Sequence, residues 1–208
     1  MALFITFEGG EGCGKSVQAR GLYRRLSELA IPVVLTHEPG GTPLGKKLAR
    51  WLKWAQDTDV SPLAELLLFN TSRTQLVDEV IHPNLEKGRV VISDRYADST
   101  TAYQSYGRGL DLAMVLAINN AGIQGLKPDL TVLLDISAEA GLARKKNKRQ
   151  DRFEREDIAF HQRVREGYLK MAASEPGRWL VIDATLAKAK IAEIIWQRVS
   201  QLLSTKGG

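Results

Sequence analysis

Phe7–Ser16 reads F-E-G-G-E-G-C-G-K-S, and its last eight residues fit the pattern G-x-x-x-x-G-K-[ST]. The apolar run Leu3–Phe7 leads into it, and a stretch of helical character, Lys15–Ala30, leads out. Strand, glycine-rich loop and helix in that order form a phosphate cradle. Gly9, Gly10, Gly12 and Gly14 let the backbone turn its N–H groups toward phosphate oxygens. The N-terminus of the following helix favours negative charge. Lys15 is placed to reach the β- and γ-phosphates of a nucleotide, and the Ser16 hydroxyl to ligate Mg²⁺. Glu11 is unusual among phosphate-binding amides; it either faces solvent or accepts a hydrogen bond from a substrate hydroxyl. Cys13 reads as a small packing residue of the loop, with a redox role as the alternative.

Outward from this loop, short β-branched runs alternate with helical stretches. The runs are Leu3–Phe7, Pro32–Thr36, Arg89–Ser93, Leu130–Asp135 and Trp179–Asp183. None alternates strictly between apolar and polar, which predicts strands buried on both faces. Helices are predicted over Lys15–Ala30, Pro43–Lys53, Pro62–Glu86, Asp111–Gln124, Ala138–Lys146, Asp157–Ser174 and Lys188–Ser204. The β-α-β-α order implies an α/β fold with a five-stranded parallel sheet flanked by helices in three layers. Ligands bind such sheets beyond the carboxyl ends of the strands.

The 208 residues suit one domain, residues 1–208, and need no disulfide or metal to hold a core. One cysteine excludes a disulfide framework within the chain and suits a cytoplasmic location. A hydrophobic content of 44% and a net charge of +5 exclude intrinsic disorder. No apolar run nears the ~18 residues of a membrane span. The run Leu3–Phe7 ends at Glu8, too short for a secretory signal. The basic excess allows nucleic acid as a partner, with a cleft for a small polyanion as the plainer alternative. The densest basic segment, Arg144–Arg155, carries seven Lys or Arg in twelve residues. It is either a solvated face or a mobile lid over a polyanion, placed at about residues 142–155.

Guanine-nucleotide switches need N-K-x-D and D-x-x-G, and neither occurs here. Large motor and recombination ATPases usually have longer chains. Transfer of the γ-phosphoryl group to a small acceptor remains. The third run ends S-D-R-Y, Ser93–Tyr96. Asp94 stands where a Mg²⁺-holding carboxylate belongs. Arg95 beside it either grips a phosphate with two donors or forms a local salt bridge.

These features together resemble the bacterial type of thymidylate kinase, within the P-loop nucleoside monophosphate kinases. The resemblance runs from Leu3 to about Leu203. Its elements are Phe7–Ser16, H-E-P-G-G-T at His37–Thr42, L-L-L-F-N-T-S-R at Leu66–Arg73, D-R-Y-A-D-S-T-T-A-Y-Q at Asp94–Gln104, and D-R-F-E at Asp151–Glu154. The Asp94–Gln104 element is the most discriminating. The resemblance implies a P-loop fold with a small basic lid, and the reaction ATP + dTMP → ADP + dTDP in dTTP synthesis, with Mg²⁺. It implies that Phe69 stacks on thymine and that Arg73 donates to the base edge. It places Thr100 and Gln104 in the acceptor site. Tyr103 would fill the space of a ribose 2′-hydroxyl. Glu11 would accept from the 3′-hydroxyl, Arg95 would clamp the acceptor phosphate, and the turn headed by Glu38 would frame the monophosphate. Read without the family, Phe69 is a core residue and Pro39-Gly40-Gly41 a plain turn.

Some members carry a catalytic Arg in the phosphate loop, where this chain has Gly12. The resemblance therefore implies that the lid supplies the cation: Arg149 first, then Lys148 and Arg144. Arg144 could instead lie against adenine. Relatives also place an Arg seven residues after the Thr of E-P-G-G-T. Here that position is Ala49, and Arg50 follows it as the candidate for the acceptor phosphate. The family further implies a homodimer through the helices Pro62–Glu86 and Asp111–Gly125, with no nucleic acid and no membrane as partners. The competing readings are a kinase for another nucleotide or nucleoside, and a nucleotide-dependent nucleic-acid-binding module that uses Arg144–Arg155.

Overall fold

Five strands, β1 (Leu3–Glu8), β2 (Val33–His37), β3 (Val90–Asp94), β4 (Leu130–Asp135) and β5 (Trp179–Asp183), pair in parallel in the order β2-β3-β1-β4-β5. The computed structural model describes residues 2–54, 59–145 and 150–207. The strands fall within a residue of their predicted bounds because each is a short apolar run cut off by a turn residue or a charge.

Alternate residues of β1 serve opposite layers. Leu3, Ile5 and Phe7 join Leu22 and Leu26 of α1 (Lys15–Glu28) with Ile195 and Val199 of α9 (Lys188–Gly207). Phe4 joins Leu76 of α3 (Pro62–Leu76) and Ile123 of α6 (Leu112–Ile123). Apolar layers on both faces explain why no strand alternates in sequence. Leu133 and Trp179 carry the second face on to Phe160, Val164 and Tyr168 of α8 (Ile158–Ser174). Thr6 and Glu8 share the Phe4 face of β1, so both are buried polar residues that need partners.

The helix ends follow local chemistry. Ser61 caps α3 through the N–H of Ala64, Asp111 caps α6 through Met114, and Asp157 caps α8 through Phe160. α6 stops where Gln124 turns left-handed (φ 52°) ahead of Gly125. Two further helices are α2 (Pro43–Trp54) and α7 (Ala138–Ala143).

Two helical expectations need correction. The stretch predicted as one helix, Pro62–Glu86, divides into α3, a π-helical turn Val77–Ile81 and α4 (His82–Glu86). Pro83 has no N–H to give and sits in the first turn of α4, so the ladder is reset just before it. The sequence also predicts no helix between Asp94 and Asp111. The structure has α5 (Ala97–Thr100) running into a π-helical turn, Thr101–Gly107. Its polar sequence lacks a helical apolar stripe, because Ser99, Thr100, Tyr103 and Gln104 face a cavity. The end of the predicted helix Ala138–Lys146, at Lys146, lies outside the described residues.

Candidate active site

A cavity of about 810 Å³ opens beyond the carboxyl ends of β1, β2 and β3. Glu11, Gly12, Gly14, Lys15, Ser16, Glu38, Phe69, Arg73, Asp94, Arg95, Thr100, Tyr103, Gln104 and Arg144 all line it. Residues 149 and 148, the first lid candidates Arg149 and Lys148, lie outside the described residues. Gly9, Gly10 and Cys13 form the body of the loop behind the lining, with Cys13 buried.

Three glycines of the phosphate loop sit where φ is positive. Gly9, Gly12 and Gly14 have φ of 136°, 67° and 99°. A Cβ on Gly12 would lie 2.0 Å from the carbonyl oxygen of Gly141 in α7. This contact gives a physical reason for the absence of an arginine at position 12. Lys15 is folded back on its own loop, donating to Gly9 O (2.9 Å) and Gly10 O (2.7 Å). The Ser16 hydroxyl donates to Oδ2 of Asp94 at the end of β3. Two hard oxygen donors in contact, beside a phosphate cradle, fit a Mg²⁺ completed by phosphate and water.

Arg95 faces the loop from the left-handed region (φ 74°), a strained place for an arginine. Its Nη2 donates to Glu11 Oε1 (2.7 Å) and lies 3.2 Å from the Tyr103 hydroxyl. Its Nη1 reaches Ser99 Oγ (3.1 Å), Tyr168 Oη (3.3 Å) and Gly9 O (3.3 Å). Glu11 thus points inward rather than to solvent. It also accepts from the Tyr103 hydroxyl (2.8 Å) and from Lys145 Nζ (2.8 Å). Burial works against its charge, but Arg95, Lys15 and Lys145 outweigh burial and hold its pKa well below the usual carboxylate range. Burial pushes the Tyr103 phenol well up, so it remains a donor.

Under Arg95 lies Glu8, fully buried. It accepts from Tyr96 N (2.8 Å), Ser99 Oγ (2.5 Å) and Tyr168 Oη (3.1 Å). Burial, helped by nearby Asp98, pushes its pKa up to about 7.

Arg73 comes to the cavity but is committed within the protein. Nε donates to Glu38 Oε2 (2.8 Å), Nη1 to Asn70 Oδ1 and Asn119 Oδ1 (3.2 Å each), and Nη2 to Thr100 Oγ1 (2.6 Å). Glu38 has one oxygen on Arg73, while its other, Oε1, is buried without a partner among the described residues. Burial raises the Glu38 pKa despite the ion pair. Phe69, Tyr103 and Phe153 form an aromatic wall, with Phe153 5.7 Å from Phe69 and 6.0 Å from Tyr103 between ring centres.

Arg50 is exposed and does not reach this cavity. Lys53, the turn after Ala49 on the same helix face, does line it. Burial, reinforced by Arg95 and Lys145 and opposed by Asp151 and Glu11, holds its pKa below that of an ordinary lysine. The described part of the basic run turns inward. Lys145 bridges Glu11 and Glu154, Arg152 pairs with Glu65, and Arg144 donates from both terminal nitrogens to Ala184 O (3.2 Å each).

Sequence reasoning singled out no role for Lys53, Lys145, Phe153, Glu8 or Glu65. Lys53 carried one readable signal, its place one turn beyond the position where relatives have arginine. Glu8 and Glu65 carried none, because a carboxylate beside or within an apolar run does not announce which distant donors meet it.

Residues 7–195 match a family model described as thymidylate kinase. A thymidylate kinase of Dehalococcoides mccartyi is 56% identical over 203 residues, 98% of each chain. One from Trichlorobacter lovleyi is 46% identical, covering 97% of this chain and 99% of its own. The crystal structure of thymidylate kinase from Ehrlichia chaffeensis superposes with a TM-score of 0.78 at 32% identity, over 95% of this chain and 98% of that one. A shared fold, near-complete coverage and this degree of identity lead to one conclusion: the chain belongs to the thymidylate kinase family.

Proposed function

We infer that this protein transfers the γ-phosphoryl group of ATP to dTMP, giving ADP and dTDP in the synthesis of dTTP. The observation that carries the reading is one cavity with two unlike halves. One half is the Lys15 loop beside the Ser16–Asp94 pair; the other joins Arg95 to the Phe69–Tyr103–Phe153 wall.

A phosphate oxygen of dTMP attacks the γ-phosphorus of ATP, and the bond to the β–γ bridging oxygen breaks. The acceptor oxygen is already anionic, so no general base is required. Catalysis is positioning and charge neutralisation. Lys15 leaves the Gly9 and Gly10 carbonyls for the β- and γ-phosphates. Arg95 holds the acceptor phosphate, with Lys53 as the cation on the α2 side in the place the sequence offered to Arg50. Glu11 accepts from the 3′-hydroxyl and Tyr103 blocks a 2′-hydroxyl. Phe69 stacks on the base, as Phe153 also can. Thr100 and Gln104 meet the base edge. Arg73 serves that edge by holding Thr100, and reaches the base itself only by releasing one of its present acceptors. Mg²⁺ held by Ser16 and Asp94 would neutralise charge on the transferring phosphoryl group.

Lys145 brings a lid cation to Glu11, and the lid excludes water that would otherwise hydrolyse ATP. Arg149 and Lys148 remain proposals for the transition-state cation, and Arg144 for the adenine side. The inward turn of Arg144, Lys145 and Arg152 favours this reading over a nucleic-acid-binding face. Leu63 and Leu67 on α3 and Leu112 and Leu116 on α6 are exposed, and the two helices pack together, which suits a homodimer through them. A single cysteine suits the reducing cytoplasm, and no described helix is long and apolar enough to cross a membrane.

The test is ADP release from Mg-ATP with dTMP, dUMP, dCMP, dGMP, UMP and thymidine in parallel. Strong preference for dTMP, abolished in Lys15→Ala, is expected. Preference for another acceptor would overturn the base site, and no turnover with any would overturn the kinase.

A further inference from the structure

Gln104, 1% exposed and lining the cavity, donates its Nε2 to Oε1 of Glu65 at 2.8 Å. Glu65 sits in the first turn of α3 with no exposed surface. Its carboxylate also accepts from Arg108 Nε (3.2 Å) and Nη2 (3.3 Å), and from Arg152 in the basic run. A carboxylate gripped by two guanidinium groups offers acceptors and no donor. The amide of Gln104 therefore has no choice of end. Its NH₂ faces Glu65, and its carbonyl oxygen is the group left for whatever occupies the cavity.

We propose that Glu65 is the positioning residue for base selection: by fixing the Gln104 amide, it presents a hydrogen-bond acceptor to the pyrimidine edge. This rests on the reading of the cavity as the dTMP site. Thymine carries a hydrogen on N3 and satisfies that acceptor. Cytosine has a bare N3, so two acceptors would face each other in a buried site, with neither paired. The same carboxylate holds Arg152, so Gln104 and Arg152 share one anchor.

The test compares kcat/KM for dTMP and dCMP in the wild type, Glu65→Gln, Gln104→Leu and the double variant. An amide at position 65 pairs with either end of Gln104, so Glu65→Gln is expected to lower the dTMP:dCMP ratio by about tenfold or more. The double variant should discriminate no worse than Gln104→Leu alone, because both substitutions remove one device. An unchanged ratio in Glu65→Gln, or additive losses in the double variant, would overturn the proposal while leaving dTMP turnover intact. A wild type inactive on dTMP but active on another acceptor would instead sink the acceptor reading, and this proposal with it.

If Glu65→Gln does not fold, the side-chain amide of Gln104 is followed by NMR in the wild type. Its NH₂ protons should resist exchange both free and with dTMP bound. Rotation of the amide toward the base on binding would overturn the proposal.

Discussion

Lys145 Nζ lies 2.8 Å from a carboxylate oxygen of Glu11, joining the basic segment to the phosphate loop across 134 positions of sequence. Burial disfavours the Lys145 charge, but Glu11 and Glu154 outweigh it and raise its pKa. This pair ties the end of the helix α7 region to the phosphate loop. Lys145→Ala should lower kcat/KM for dTMP by about tenfold or more, on the scale of a charged hydrogen bond of roughly 1.5–3 kcal/mol. Lys145→Arg should retain most of it. Steady-state kinetics decide, and an unchanged Lys145→Ala would remove the pair from the mechanism.

Lys53 and Arg50 separate two readings of the acceptor phosphate. Lys53→Ala should raise the KM for dTMP by about ten- to a hundredfold, as loss of a partly buried cation on a phosphate does. Arg50→Ala should stay within about twofold, being exposed. The lowered Lys53 pKa also gives a pH dependence. The cation is lost at a lower pH than in an ordinary lysine, so dTMP affinity falls as pH rises toward that point. Lys53→Arg stays charged and should flatten the profile. Equal profiles for the two proteins would contradict the assignment.

Glu8 makes stability depend on pH. Its pKa rises from 4.5 to about 7 on folding, so the native state binds more protons than the unfolded chain between those values. Stability from this group therefore falls as pH climbs from about 4.5 to 7. Glu11 acts in the opposite sense: its lowered pKa contributes stability above pH 4.5 that is lost on acidification. Denaturation curves from pH 5 to 8 should show a shallower fall in Glu8→Gln than in the wild type.

Gly12 and Gly10 are neighbours with different tolerances. Gly12→Ala should cost more than about 2 kcal/mol, since φ is 67° and Gly141 O stands 2.0 Å from the new Cβ. Gly10 has nothing within 4 Å of its Cβ direction and no positive φ, so Gly10→Ala should leave the melting temperature nearly unchanged. Thermal unfolding of both variants checks the pair.

Charging the leucine patch tests assembly. Leu67→Glu with Leu116→Glu should convert a dimer to a monomer in sedimentation while leaving the fold intact. A wild type that sediments as a monomer at micromolar concentration would refute the dimer.

The strand, loop and helix around Phe7–Ser16, the α/β class and the parallel strands with their bounds were legible in the sequence, because each depends on local pattern. Glycines followed by Lys15 and Ser16 specify a phosphate loop wherever they follow a strand, and apolar runs without alternation specify strands covered on both sides. What Gln104 offers a ligand, which acceptors Arg73 has already taken, and whether Arg50 or Lys53 enters the cavity were decided by tertiary structure alone. Those outcomes turn on side chains such as Glu65, Gln104 and Arg152 meeting from distant segments. A hydrogen bond depends on distance and direction within tenths of an ångström, and the order of residues along the chain carries no record of that.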